Sequence, residues 1–506
     1  MNEIPNRAQE MLYSAMDPSE LAQLKKYPSV SAMWADAAEK FAARPAVEDN
    51  GKVVSFLELE KSAALLRGLL RARGFRRGDR VGLLAENSAE FAAAFLAVTT
   101  LGGVAAVLPP HLEERAVLGC CMKFDLRLLL STSALADRCA LAEKTLGLPL
   151  LRTDDPGAEP LGAEPCGSGE PCAIMFTGGT TGQSKGALLS NGAVLQGVYN
   201  SALGCPAVFG MRYLLVLPLS HVFGLIRNLL ASLSTGSTIF ICRNNADMFR
   251  DIAAFRPTVL VLVPALAEMA LALSRRFKRN MLGDDLRYII CGAAAVPPYL
   301  IEAYHEMGVA LYPGYGLTES ANLVSGNPRS LEKPDSVGIP YPDQELRLVG
   351  GELWLRGANM MDGYIGADED AWTEDGWFRT GDLARFDDDG FLYITGRTKE
   401  VIVLPNGENV SPAEVEAHFL ACALIQDCQV FEDMEEKRRI LALEVVPRAA
   451  EMAKLPPEEA GERLMAELEK INAGLPDFQR VSRITVRDSD FERTKSMKIV
   501  RYQKCK

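Results

Sequence analysis

Histidine is scarce in this sequence, with four in a chain of 506 residues. The eleven cysteines run from Cys120 to Cys505 without a CxxC spacing. Together these shortages argue against a zinc site or a disulfide framework, because both need ligands or partners at short, regular intervals. A reducing cytosol is the expected compartment, and a cytoplasmic protein the expected product. Long apolar runs are also missing. The most apolar stretch, Val259 to Leu273, contains Pro264 and Glu268 and falls short of the ~20 residues needed to cross a bilayer. It reads as a buried strand and helix, so no transmembrane segment is expected. Residues Met1 to Met16 include Glu3, Arg7 and Glu10 and have no apolar centre, unlike a secretory signal. Positive charge is in deficit as well: 54 Lys and Arg against 66 Asp and Glu leave a net charge of -12. Broad attraction to nucleic acid needs basic surface that displaces counterions, so no nucleic-acid partner is expected. Any anionic ligand has to be captured locally.

What the chain does have is core. Hydrophobic residues make up 48% of the sequence, enough at this length for several compact units. From Phe56 onward, Leu59, Ala63, Leu66 and Leu70 mark one face of a helix that Gly74 would stop. A strand follows at Arg80 to Ala85, then Ser88 as a candidate N-cap, an alanine-rich helix to Thr100, and a strand at Val104 to Leu108. The alternation recurs at Tyr213 to Leu217, Ser237 to Cys242, Thr258 to Val263 and Tyr288 to Cys291. Such a pattern predicts parallel sheet covered by helices over roughly the first 330 residues. The stretch Asp154 to Pro171, rich in glycine, proline and acidic residues, reads as a solvent loop.

After Asp335 the texture changes to short strands with glycine turns: Glu345 to Val349, Gly351 to Arg356, Leu383 to Phe386 and Phe391 to Ile394. These predict a small β subdomain, barrel-like, over about 335–398. Beyond Lys399, a strand at Val401 to Leu404 leads into Pro405-Asn406-Gly407, and Ser411-Pro412-Ala413-Glu414 opens a helix. The last hundred or so residues read as a compact α+β domain with a charged helix from Glu458 to Ala473. The fold class is therefore α/β. A large N-terminal domain of helix-covered sheets spans 1–398, and a small α+β domain spans 399–506.

One loop carries the clearest chemistry. Residues 177 to 186 read Thr-Gly-Gly-Thr-Thr-Gly-Gln-Ser-Lys-Gly and follow an apolar strand, Ala173 to Phe176. Glycines let backbone amides approach an anion, and the hydroxyls and Lys185 can bond to it. The segment predicts a polyphosphate ligand. It is not the P-loop of ATPases, in which Gly-Lys is followed by Ser or Thr; here Gln183 and Ser184 separate Gly182 from Lys185, and Gly186 follows.

Four more segments stand in a definite order: "LPLSHVFGL" at 217 to 225, "YPGYGLTES" at 312 to 320, "WFRTGDLARFDDDGFLYITGRTKE" at 377 to 400, and "FERTKSMKIVR" at 491 to 501. With "FTGGTTGQSKGA", this set resembles the adenylate-forming superfamily of acyl-CoA synthetases, aryl-CoA ligases, carrier-loading adenylation domains and luciferases. The resemblance covers nearly the whole chain. It implies an N-terminal AMP-binding domain with a C-terminal cap, and a reaction in which a carboxylate attacks the α-phosphorus of ATP, pyrophosphate leaves, and a thiol accepts the acyl group.

The resemblance also implies roles. Thr177, Gly178, Gly179, Thr180, Thr181, Gly182 and Lys185 would grip the β and γ phosphates. Gly178 and Ser184 depart from the serine and proline that many members carry there. Glu319 would hold Mg²⁺, which suits a single carboxylate because the ion takes its other ligands from phosphate and water. Thr318 would donate to the α-phosphate. Tyr315, followed by Gly316, would stack on adenine against the backbone at Gly292 and Ala293. Asp382 would accept the ribose hydroxyls, with Arg397 approaching from the interdomain side. Lys498 would bridge carboxylate and α-phosphate, although Glu492 and Met497 depart from the common pattern around it. His221 would position the acid or gate its site. No base is needed, since a carboxylic acid is ionised at neutral pH. Lys399 would be the hinge on which a mobile C-terminal domain swings, presenting either Lys498 or the segment Asn406 to Pro412. His111, His305 and His418 lie outside the motifs.

No aspartate stands among Val222, Phe223, Gly224 and Leu225 to pair with an α-amine, so an amino-acid substrate is disfavoured. Small side chains at Gly292-Ala293-Ala294-Ala295 leave space for a fatty or other apolar acid. Coenzyme A is the expected acceptor. The pantetheine of an acyl carrier protein is an alternative, since "NGENVSPAEVE" also looks like carrier-loading ligases. From another class stands a catalytically idle nucleotide-binding regulator.

Overall fold

A computed structural model describes residues 6–155, 159–177, 185–365, 371–404, 409–435, 438–493, 499 and 501. Two large sheets dominate the N-terminal part. One has nine strands, and from Ala310–Tyr315 through Tyr288–Cys291, Val259–Leu262, Arg212–Leu215 and Thr238–Ile241 to Pro45–Asp49 they run parallel. Antiparallel strands close its edges, Ser325–Gly326 and Ile339–Pro340 at one side and Lys52–Ser55 at the other. The other sheet has seven strands. Leu150–Arg152, Leu128–Ser131, Arg80–Leu84, Val104–Leu108 and Pro171–Thr177 are parallel neighbours, and Lys185–Ser190 folds back antiparallel on Pro171–Thr177.

The elements form where the local chemistry places them. Ser88 accepts from the Phe91 amide at 3.0 Å and starts the helix Ala89–Thr99. Ser55 and Glu58 form a capping box at the head of Phe56–Ala72. Gly74, at φ +83°, follows that helix. Both helices pack among buried residues of the two sheets in one continuous core that includes Leu59, Leu66, Phe91, Val107, Leu214 and Leu260. The loop before Pro171–Thr177 is tied down from outside: Glu170 takes a two-pronged bond from Arg77 at 2.7 and 2.8 Å.

A four-stranded antiparallel sheet follows, in the order Gln344–Val349, Glu352–Gly357, Phe378–Phe386, Leu392–Arg397. Its third strand begins at Phe378, earlier than the alternation suggested, because Phe378 is buried opposite Leu355. Thr380-Gly381-Asp382 therefore lie inside a strand, beside a register shift between Leu383 and Ala384. Gly363–Ile365 leaves this region and joins the seven-stranded sheet next to Lys185–Ser190.

The C-terminal part has its own core, including Val410, Val415, Phe419, Leu443, Val445, Leu464 and Leu468. Ile425–Glu435, Arg438–Pro447 and Arg483–Val486 form its three-stranded sheet, packed with helices Pro412–Leu420 and Ala460–Gly474. Ser411 precedes the first of these helices but does not cap it. Its hydroxyl donates to the Thr395 carbonyl at 2.6 Å, in a space that only a glycine at 396 leaves open. No helix among the described residues is long and apolar enough to cross a membrane.

Candidate active site

The candidate residues gather where strands of both large sheets end. Lys185 opens the strand that pairs with Pro171–Thr177, and Thr177 lies directly opposite it. Its ammonium stands 5.2 Å from the ring centre of Tyr364, whose strand pairs alongside. The Tyr364 hydroxyl in turn donates to Glu319 Oε1 at 2.5 Å. Thus the cation expected at the phosphates and the carboxylate expected at the metal share one tyrosine. The Glu319 carbonyl is held separately by the Met361 amide at 2.8 Å.

Thr318 and Glu319 sit in a single helical turn, Thr318–Ser320, directly after the strand Ala310–Tyr315. The chain reverses here at close quarters. A Cβ on Gly316 would lie 1.4 Å from the Asn322 carbonyl oxygen, so only glycine fits. Ala321 and Asn322 take left-handed backbone at φ +47° and +93°, as Ala293 does at +66°. Non-glycine residues adopt this region at a cost that surrounding structure must hold, and such positions gather at binding sites. Gly292 follows the neighbouring strand, and a Cβ there would lie 3.2 Å from the Gly314 carbonyl oxygen.

Tyr315 and Asp382 form the second corner. The phenol donates to Asp382 Oδ2 at 2.5 Å, and Arg397 Nε pairs with Oδ1 at 2.8 Å. Asp382 is only 2% exposed. Burial first, and then this carboxylate, push the Tyr315 phenol well above its ordinary value, so it remains a donor. The Asp382 amide donates to Thr380 Oγ1 at 3.0 Å, which fixes this part of the strand from within.

His221 lies beyond the strand Arg212–Leu215 and accepts from the Phe223 amide through Nδ1 at 3.3 Å. Asn87, from the other large sheet, braces this segment like a strand partner: it donates to the Leu217 carbonyl at 2.8 Å and accepts from the Leu219 amide at 2.9 Å. After His221 the chain winds as a π-helix, Phe223–Leu230. The Phe223 ring comes within 3.6 Å of the Cβ position of Gly292 and so reaches the same space.

Lys399 occupies the junction between the two parts. Thr398 donates to the Gly381 carbonyl at 3.2 Å on one side, and Glu400 pairs with Arg501 at 3.2 Å on the other. Arg501 also grips Glu416 with two bonds, at 2.8 and 2.7 Å. Gly178, Gly179, Thr180, Thr181, Gly182 and Lys498 lie outside the described residues, as do residues 405–408 of the segment expected to alternate with Lys498.

The structure thus brings Lys185, Glu319, Tyr315, Asp382 and Arg397 into one neighbourhood with Gly292 and Ala293. Tyr364 and Asn87 were not legible in the sequence. A lone tyrosine after glycine and a lone asparagine after a strand give no signal of partners 45 and more than a hundred residues away.

The AMP-binding enzyme family matches residues 34–365, and the AMP-binding enzyme C-terminal domain matches residues 399–506. A feruloyl-CoA synthase from Amycolatopsis sp is 31% identical over 405 residues, covering 76% of this chain and 82% of the relative. An indoleacetate–CoA ligase from Aromatoleum aromaticum is 34% identical over 412 residues, covering 73% and 80%. Among solved structures, o-succinylbenzoate CoA synthetase from Bacillus subtilis is similar at TM-score 0.78 and 25% identity. Its complex with an acyl-adenylate intermediate is matched over 95% of this chain and 98% of that one, and its complex with ATP and magnesium over 94% and 99%.

Proposed function

Since this chain belongs to the AMP-binding enzyme family, we propose that it is an AMP-forming acid–thiol ligase, activating a carboxylic acid with ATP and passing the acyl group to coenzyme A. In the first half-reaction a carboxylate oxygen bonds to the α-phosphorus and the bond to pyrophosphate breaks. In the second, a thiol sulfur bonds to the acyl carbon and AMP leaves. Negative charge accumulates between anionic reactants in the first step, so cations and oriented donors must stand ready where it forms.

The observation that carries this reading is the pair of linked corners, Lys185–Tyr364–Glu319 and Tyr315–Asp382–Arg397. Lys185 and Thr177, with Gly178 to Gly182, take the β and γ phosphates. Glu319 is the carboxylate for magnesium, and the bond from Tyr364 orients it while leaving its second oxygen available. Magnesium, when bound, supplies charge that neutralises phosphate oxygens. Thr318 donates to the α-phosphate. Tyr315 and Gly316 form one wall for adenine, and Gly292 and Ala293 the other. Asp382 accepts the ribose hydroxyls beside its bonds to Tyr315 and Arg397. Lys498 bridges the attacking carboxylate and the α-phosphate. His221, held by the Phe223 amide, positions the acid. Lys399 is the pivot, a reading supported by its neighbours Thr398 and Glu400, which bond to opposite sides of the junction. On this reading the N-terminal domain runs to 398 and the C-terminal domain from 399.

The acid lies between Phe223 and Gly292-Ala293, an apolar setting. The acids in the names of the similar ligases, feruloyl, indoleacetate and o-succinylbenzoate, support an aryl acid over a straight fatty chain. The test is product stoichiometry with ATP, magnesium, coenzyme A and a panel of aryl and fatty acids. Equal yields of AMP, pyrophosphate and thioester are expected. Release of ADP and phosphate would overturn the assignment.

A further inference from the structure

Cations are the minority charge in this chain, yet one short stretch gathers them. The helix Pro264–Phe277 ends in Arg275, Arg276 and Phe277, and Lys278 and Arg279 follow at once. All five side chains are exposed. None of the four cations forms an ion pair among the described residues. Phe277, at 57%, is the only exposed phenylalanine among them.

A helix end needs less than this. One or two basic side chains in the last turn answer the negative end of the helix dipole, which accounts for Arg275 and Arg276. The dipole gives no reason for a solvent-facing ring, nor for two more cations beyond the helix. Lys278 holds left-handed backbone, φ +52° and ψ 37°, at a position where glycine is the residue of least strain. The turn that carries this charge is also firmly held. Ser274 Oγ accepts from the Met281 amide at 3.0 Å, and Asn280 bonds to the Leu282 amide at 2.9 Å and the Gly283 carbonyl at 2.8 Å, above a fully buried Leu282.

The helix starts beyond the C-terminal end of Val259–Leu262 and returns the chain to the head of Tyr288–Cys291. Its last turn therefore lies on the edge of the nine-stranded sheet opposite the one where Gly292 and Tyr315 stand. Arg287, also exposed, opens that strand on the same edge, its amide on the Thr258 carbonyl at 2.9 Å. The acids nearby in the chain are Asp285, which Arg256 takes at 2.8 Å, Asp284, and Glu306 at the end of the next helix. Cations prevail on this edge although acids prevail in the whole chain.

We propose that this edge docks the protein on an anionic lipid surface, with Arg275, Arg276, Lys278 and Arg279 against the headgroups and the Phe277 ring in the interfacial layer. Clustered cations gather on anionic leaflets, and an adjacent apolar side chain adds area that lipid takes out of water. A fluid bilayer needs no matching contour, which suits one projecting ring among long basic side chains. This attachment is peripheral and leaves the candidate active site on the far side, so binding to lipid and turnover are separable.

The test is co-sedimentation of the full chain with vesicles of phosphatidylcholine alone or with about 30% phosphatidylserine, at about 0.1 M and 0.5 M salt. Binding to the anionic vesicles is expected to exceed binding to the neutral ones by about tenfold or more at low salt, and to vanish at high salt. Replacing Arg275, Arg276, Lys278 and Arg279 together by glutamine should lower it by about tenfold or more. Phe277→Ser should weaken it by about threefold or more and leave its salt dependence in place. Wild type that ignores both vesicles, or binds them equally, would overturn the proposal without any variant. Anionic binding that survives the fourfold change would overturn it too. Retention on an immobilised acidic protein without vesicle binding would assign the edge to a protein partner instead. Pyrophosphate exchange in solution should be unchanged in these variants, and the vesicle result stands apart from the ligase reading because it needs no turnover.

Discussion

The guanidinium carbon of Arg448 sits 4.1 Å from the ring centre of Tyr299 and joins the C-terminal sheet to a helix of the large domain. Tyr299 also donates to Glu268, so one aromatic ring connects a cation of one domain to an acid of the other. Cation–aromatic contacts of this kind contribute about 0.5–2 kcal/mol, depending on desolvation. A double-mutant cycle of Tyr299→Ala and Arg448→Ala should give a coupling in that range, read as the free energy of local opening by hydrogen exchange in Pro298–Glu306. Independent effects of the two changes would show that the contact does not hold the domains together.

Glu268 predicts a pH dependence. Burial raises its carboxyl above the ordinary value; the bond from Tyr299 opposes this, Asp427 adds to it, and Arg448 and Arg493 oppose it. A raised value means that the folded chain binds the proton more tightly than the unfolded one. Stability from this group is therefore full below the unfolded value and is lost as pH rises through the folded one. Glu268→Gln, which keeps an acceptor for Tyr299, should match wild type in Tm at acid pH and exceed it at neutral pH. A variant less stable than wild type at neutral pH would contradict the sign.

Tyr364 should matter to the metal. Tyr364→Phe keeps the ring face toward Lys185 and removes the bond to Glu319. Loss of such an orienting bond weakens metal binding by about 10–100-fold. The magnesium concentration for half-maximal exchange should rise accordingly, with little change at saturating metal. An unchanged magnesium requirement would remove Tyr364 from the site.

Gly316 tests the tight reversal beside Thr318. The 1.4 Å approach of Asn322 O leaves no room for a methyl group. Gly316→Ala should keep the parallel strands of the nine-stranded sheet, whose pairing to Ala310–Pro313 precedes this turn, yet lose nearly all nucleotide-dependent activity. Near-normal exchange in this variant would show that the turn can relax without displacing Tyr315 and Glu319.

Features written in adjacent residues were legible in the sequence. Val104–Leu108 is the strand its apolar run predicted, and Ser88 caps the helix it precedes. The candidate site was legible where a motif carries it on one stretch of backbone, as at Thr177 and Lys185 or Thr380 to Asp382. Partners joined only by folding were not. Tyr364 reaches Glu319 because Gly363–Ile365 crosses to another sheet, and Arg448 meets Tyr299 across the domain junction. The π-helical winding after His221 was also hidden. An apolar run shows that a helix is buried, but not how many residues each turn takes.

The most direct measurement is acid-dependent exchange of pyrophosphate into ATP, in wild type and in Lys498→Ala, alongside nucleotide binding by both. The account predicts exchange in wild type that requires a carboxylic acid, and a fall of about 100-fold or more in the variant, since a cation is lost where charge develops. Nucleotide binding should persist in both. ATP binding with no exchange on any acid, or exchange unaffected by the loss of Lys498, would contradict it.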